Sequence, residues 1–570
     1  MKLLILLLVC TLHVIPSSNA QSKKNTKAST KKGKVVIAVK PKMPTSKAAA
    51  ADTLPSKTVV VTASFKPTLQ QSSKINLTAT PLPKEVVMPD FVYNIPSKNV
   101  FVSYEPSPIK PLSLYIDSTI VWKNEAYVKV GYGNFATPFF EAAASLGNGT
   151  KQSIKIQANH ISSTGNLAFQ QFSKTGLGAS GIFNSNTHTT QAALSFNQTN
   201  QYQYGFMPDT IKRFTKDSLQ RRYNNFEASI SFANQLANAQ GITYKPSIQI
   251  NQFSDNASAS ETNIVATAPF TKIINPNISA SLALVGNITS YSNGNAAAIN
   301  NNIFAVQPSI SYNKNAITAI VGFSPTWNNS NLKWLPNIEV QGKLAKQQMA
   351  VFGGVKGSFL KNNYQYLTSI NPFINPITNQ TNTQITDVYA GVKGSVGSHW
   401  MYEGSLSFQQ WKNAILFVND SATGKAFIPL VEEKMVVTKL HAGIAYTLQE
   451  KLLFNAGLNL YDFQKNTTYA DAWGYIPIEL TSSLKLQLKK DIWIKSDLFF
   501  WDGAKYRNQL GQSQKLAAAF DWNVGVEAGL MPRLNLWCSF NNILNNKYQR
   551  WNQYAVLGTN VLVGVVYSFK

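Results

Sequence analysis

From Leu440 onward, apolar and polar residues alternate with a period of two. Leu440, Ala442, Ile444, Tyr446 and Leu448 interleave with His441, Gly443, Ala445, Thr447 and Gln449. After a short turn at Glu450-Lys451, Phe454, Ala456, Leu458 and Leu460 alternate with Asn455, Gly457 and Asn459. The pattern returns at 484–489, 492–495, 520–530 and 534–541. Successive side chains of a strand point to opposite faces, so each segment has one apolar and one polar face. The segments run about ten residues or more. That exceeds the five or six usual in a soluble sandwich and suffices for a tilted strand to cross a bilayer.

The connections alternate as well. Gln449–Lys451, Lys489–Asp491 and Met531–Arg533 are tight turns, and between them lie polar loops at about 463–475, 502–514 and 544–553. Short turns on one side and long loops on the other predict an all-β fold, a transmembrane antiparallel β-barrel with short periplasmic turns and long extracellular loops. Continued toward the N-terminus, the count gives strands at 125–133, 137–146 and 151–162, a loop at 163–188, and a hairpin at 189–197 and 200–206. Farther on, 399–411 and 436–448 flank a loop at 412–434, and the last strand is 554–570. The total is 22 strands, with a range of 20 to 24, and an even number returns both termini to the periplasm. Polar-face residues Lys129, Glu227, Lys485, Lys495, Asp521 and Glu527 are expected in the lumen.

Composition agrees with this architecture. Charged residues make up 14% of the 570 residues and aromatics 11%, against roughly 25% charged in a soluble domain. After the N-terminal segment, no run of about 18 apolar residues suggests a spanning helix. Residues 1–20, MKLLILLLVCTLHVIPSSNA, read as a cleaved signal peptide: a basic Lys2, an apolar run and small residues at Ser18-Asn19-Ala20. Its removal leaves Cys538 as the one cysteine, so no internal disulfide is expected. Residues 21–60 hold ten lysines and one acid, Asp52, amid Ala, Ser, Thr and Pro. They are expected to form a basic disordered periplasmic tail, either a solvated spacer or an attachment to an anionic partner. Residues 61–124 are proline-rich, including Pro81, Pro83, Pro106 and Pro108, and predict an extended linker or partial plug ahead of the barrel at 125–570.

Asn541-Asn542-Ile543-Leu544-Asn545-Asn546-Lys547-Tyr548-Gln549-Arg550-Trp551, then Gly558 and the closing Tyr567-Ser568-Phe569, resemble the final two strands of TonB-dependent receptors. The likeness is closer to the TonB-dependent-receptor-like outer-membrane barrels of Bacteroidota that lack a full plug domain. Tyr132 to Pro138 and His160 to Gly165 look like that group's first strands and loop. Within the resemblance, Thr58, Val59, Val60, Val61, Thr62 and Ala63 look like a TonB box, an exposed β-prone segment able to add to a partner's sheet edge. Gly564, Tyr567 and Phe569 resemble the C-terminal signal read by the barrel-assembly machinery. A folded plug needs roughly 100 residues, and the short 61–124 stretch departs from that pattern.

The expectation is therefore an outer-membrane barrel that binds or passes a solute. The alternative is an accessory or structural barrel holding a protein partner with its lumen closed. Expected partners are outer-membrane lipid, the assembly machinery, and TonB or another periplasmic or outer-membrane protein; nothing points to nucleic acid. Five histidines among 570 residues, with no nucleophile triad, phosphate loop or metal cluster, give no reason to expect an enzyme, a metal or another cofactor.

Overall fold

The computed structural model describes residues 125–569, apart from 207–213, 295, 345–347, 422, 449–450 and 465. The signal peptide, the basic tail, the Thr58–Ala63 segment and the 61–124 linker lie outside the described residues. The chain forms a closed antiparallel barrel of 22 strands. Each strand pairs with its sequence neighbours, and Glu125–Gly133 closes the ring against Asn560–Phe569, from Ala126↔Phe569 to Gly133↔Leu562. Alternation explains the wall. Leu440, Ile444, Phe408, Trp522 and Leu536 are exposed on the outer face, while Lys129, Glu227, Lys485, Lys495, Asp521 and Glu527 occupy the opposite, inward register.

The count of 22 matches, but several elements differ from the sequence pattern. The stretch read as a loop at 163–188 contains a full strand, Phe172–Asn184. Its alternation is diluted by inward-facing glycines: a Cβ at Gly176 would collide with Asn159 Oδ1, and one at Gly178 would press on Gln157. The neighbouring strand's amides lie where those side chains would be. Conversely, the hairpin expected at 189–197 and 200–206 is one strand, His188–Tyr202. Its Asn197-Gln198-Thr199-Asn200 run looks like a turn, yet the ladder continues through it, with Asn197 opposite both Gly176 and Asn225. The missed strand and the divided one cancel in the count.

A third correction concerns 412–434. Strands Trp400–Asn419 and Phe427–Leu448 continue through most of it as a tall ribbon. The register is unchanged from Lys412↔Lys434 to Ala414↔Glu432, although Asn413 between them adopts φ 59°. Beyond Asn413, Ala414 to Val418 are all buried. An uninterrupted AILFV run belongs to a strand covered on both faces, so the ribbon has left the wall and entered a packed core. The final strand likewise begins at Asn560 rather than 554, and Gln549–Trp551 with Tyr554–Ala555 form a separate small hairpin.

Candidate functional site

The apolar core lies at the loop end of the barrel. Tyr223, Phe253 and Tyr291 from the inner wall pack with Tyr364, Leu367, Phe373 and Ile377 of the 361–382 loop. Phe417 and Phe427 of the tall ribbon and Trp551 and Tyr554 of the 542–559 loop complete the cluster. These segments come from widely separated parts of the ring, so their joint burial places a cap over the mouth.

Hydrogen bonds lock the cap together. Gln201 Nε2 and Tyr223 Oη both donate to the Pro372 carbonyl, at 3.0 and 2.8 Å. The Phe427 amide donates to the Phe373 carbonyl and the Asn375 amide to the Phe427 carbonyl, each at 3.0 Å, tying the loop to the ribbon. Tyr204 Oη and Gln170 Nε2 reach the Ala555 carbonyl at 2.8 and 2.9 Å. From the same 542–559 loop, Arg550 Nη1 donates to the Gly474 carbonyl at 3.0 Å. Burial pushes the Arg550 guanidinium down to about 10, and it rests 4.1 Å from the Trp551 ring centroid.

Tyr554 is the hub of these contacts. It stacks on Phe373 with centroids 3.6 Å apart, meets Tyr204 edge-on, and donates its hydroxyl to the Lys425 carbonyl. Gly205 lies against the ring, where any Cβ would overlap it. Burial drives the Tyr554 phenol well above its ordinary pKa, so it stays a neutral donor.

Buried carboxylates anchor the loops to the wall and to the tall ribbon. Glu261, 1% exposed, accepts from the Tyr364 amide at 2.7 Å, Asn363 Nδ2 and Gln380 Nε2 at 2.8 Å, and the Gln365 amide at 3.1 Å. Asn363 caps the short helix Tyr364–Ile370, and the carboxylate sits at its positive end. Glu432 accepts the Thr467, Thr468 and Tyr469 amides at 2.8 to 2.9 Å, holding the 466–477 loop on the ribbon. Asp521 accepts the Tyr548 hydroxyl at 3.0 Å.

Below the cap the lumen wall is polar. Tyr389 Oη donates to Glu339 at 2.8 Å, and His441 Nε2 lies 3.1 Å from Glu403. Lys129 Nζ sits 4.4 Å from the Trp537 ring centroid. At the closing seam Gly131 pairs with Gly564, and a Cβ on Gly564 would overlap the Val130 carbonyl, which already accepts Trp537 Nε1 at 3.2 Å. Tyr567 and Phe569 point outward, edge to face. The fold thus separates the residues singled out at the C-terminus: the glycine closes the seam and the aromatics join the outer face.

Sequence reasoning missed Glu261, Glu432 and Tyr554. The available signal was an aromatic-rich stretch inside polar loops, Tyr364 to Phe373 and Tyr548 to Tyr554, where a solvated loop would be polar throughout.

No family model matches the chain, and no curated protein matches it in sequence. Solved structures do share its fold. The FrpB iron transporter from Neisseria meningitidis is similar with a TM-score of 0.61 and 12% identity, over 79% of this chain and 82% of the other. The siderophore receptor PirA from Acinetobacter baumannii gives 0.59 at 9% identity, over 78% and 80%. The ferric enterobactin receptor PfeA gives 0.57 at 12% identity, over 78% and 81%. The barrel fold is that of TonB-dependent outer-membrane receptors.

Proposed function

We propose that this chain is an outer-membrane receptor that binds a solute beneath its loop cap and admits it to the lumen when the cap opens. The observation that carries this reading is a receptor-type barrel whose mouth is covered by loops anchored on buried carboxylates of the wall and the tall ribbon. The loop end faces outward and the turn end faces the periplasm, following the usual asymmetry of such barrels. Residues 1–20 direct export and are removed, 21–60 form a basic periplasmic tail, and 61–124 serve as linker or partial plug. Thr58–Ala63 offer an edge to TonB, and Gly564, Tyr567 and Phe569 form the signal for the assembly machinery. A Bacteroidota origin, with no full plug, fits the sequence resemblance.

Planar-bilayer conductance tests the reading. Wild type is expected to stay closed, and Tyr554→Ala, which removes the hub ring and its hydroxyl, is expected to give frequent openings. A large, stable conductance in wild type refutes gating by the cap.

The apolar core of the cap also favours a second reading, an accessory barrel that stays shut while its loops and tail hold a protein partner. Deleting 21–60 separates the two. Lost co-purification of a partner, with Tyr554→Ala still closed, supports the accessory barrel; unchanged co-purification counts against it.

A further inference from the structure

Beneath the cap, buried donors outnumber the acceptors offered to them at one place. Arg221 stands directly across from Gln201 on the inner face of adjacent strands, and the Gln203 amide continues the ladder by donating to the Leu219 carbonyl. Pro372 of the 361–382 loop lies over this patch, held by Gln201 and Tyr223. Its neighbour Asn371 is wholly buried, as is Gln203. Gln203 Nε2, Arg221 Nε and Asn371 Nδ2 are buried donors with no acceptor, against one unsatisfied acceptor in the group, Gln203 Oε1.

A further cation adjoins them. Lys425, whose carbonyl takes the Tyr554 hydroxyl, holds its ammonium 4.4 Å from the Phe214 ring centroid. Burial and repulsion from Arg221 lower its pKa, an effect Asp420 partly offsets. The nearby acids have other partners. Asp255 accepts the Ala257 and Ala259 amides and the Tyr364 hydroxyl. Asp420 accepts the Thr423 amide and hydroxyl. Among the described residues, Asp255 forms no ion pair with Arg221 or Lys425.

Unpaired buried donors cost free energy unless something supplies acceptors. A half-buried guanidinium and an ammonium favour an acceptor that carries negative charge. We propose that Gln203, Arg221, Asn371 and Lys425 form a site for an oxyanion, the carboxylate or phosphate of a soluble solute. This rests on reading the loop end as the solute-binding face. The site faces the lumen, beyond the reach of bilayer headgroups.

Titration calorimetry on the full chain in detergent, with citrate and inorganic phosphate as probes, tests the site. Wild type binds at least one of them, and Arg221→Gln and Lys425→Met each weaken binding tenfold or more. Arg222→Gln, on the outer face of the same strand, leaves it unchanged. Gln203→Leu weakens binding while raising the melting temperature, because it removes an amide that has no partner in the free protein. Failure of both anions to bind wild type overturns the proposal, as does binding that survives Arg221→Gln combined with Lys425→Met. Calorimetry does not depend on conduction, so an open channel would refute gating by the cap without deciding this result.

Discussion

Glu261→Ala is the substitution that bears most directly on the cap. In the native structure its carboxylate takes four donors from the 361–382 loop, between 2.7 and 3.1 Å, at a side chain only 1% exposed. Hydrogen bonds to a buried charge contribute about 1.5–3 kcal/mol each. Those terms are not additive, because the freed loop regains water and chain entropy on opening. Removing one partner of a buried charged network costs about 3–5 kcal/mol. On that scale the loop opens about a hundred- to a few thousandfold more often. Hydrogen exchange followed by mass spectrometry reads this as faster exchange across Tyr364–Ile370, whose protection reports the local opening equilibrium. Glu339→Ala is the control: that carboxylate binds Tyr389 on the lumen wall and is expected to leave 364–370 protected. Unchanged exchange in Glu261→Ala, with the barrel intact by heat-modifiable gel mobility, refutes the anchoring role. Equal loss in both variants does so too, by showing that the effect is not local.

Two further outcomes are expected. Lys361 Nζ donates to the Asn287 carbonyl at 2.8 Å, and burial pushes its ammonium from 10.5 down to about 7. Between those values the released loop binds more protons than the closed one. The lysine's contribution to closure is therefore complete above about 10.5 and is lost as pH falls through about 7. Exchange protection of 364–370, corrected for intrinsic rate, should be lower at acid than at alkaline pH in wild type and flatter in Lys361→Met; identical slopes would exclude the lysine. Val526, opposite Ile494 and Cys538 on the outer register, should not tolerate Arg, which costs roughly 2–4 kcal/mol near a bilayer midplane. Inward-facing Glu527→Gln should assemble normally, and equal heat-modifiable mobility and abundance for Val526→Arg and wild type would contradict the face assignment.

Period-two alternation with unequal connections was enough to give the barrel and the inward or outward register of residues such as Glu527 and Val526, while the strand number agreed through two errors that cancel. A barrel wall is a local structure, since each strand meets only its sequence neighbours and the bilayer, and both leave their mark within a ten-residue window. The pattern failed where a neighbour's side chain occupied the position, as over Gly176, or where polar residues continued a ladder, as at Asn197–Asn200. The cap was beyond its reach for a different reason. Gln201, Glu261, Pro372, Phe427 and Tyr554 are far apart in sequence and meet only once the ring has closed and brought their strand ends to one mouth. No period along the chain marks a loop aromatic that packs against another loop, or a wall carboxylate that waits for four donors. The sequence determined the cylinder, and the tertiary structure decided what covers it and which buried donors beneath the cover lack a partner.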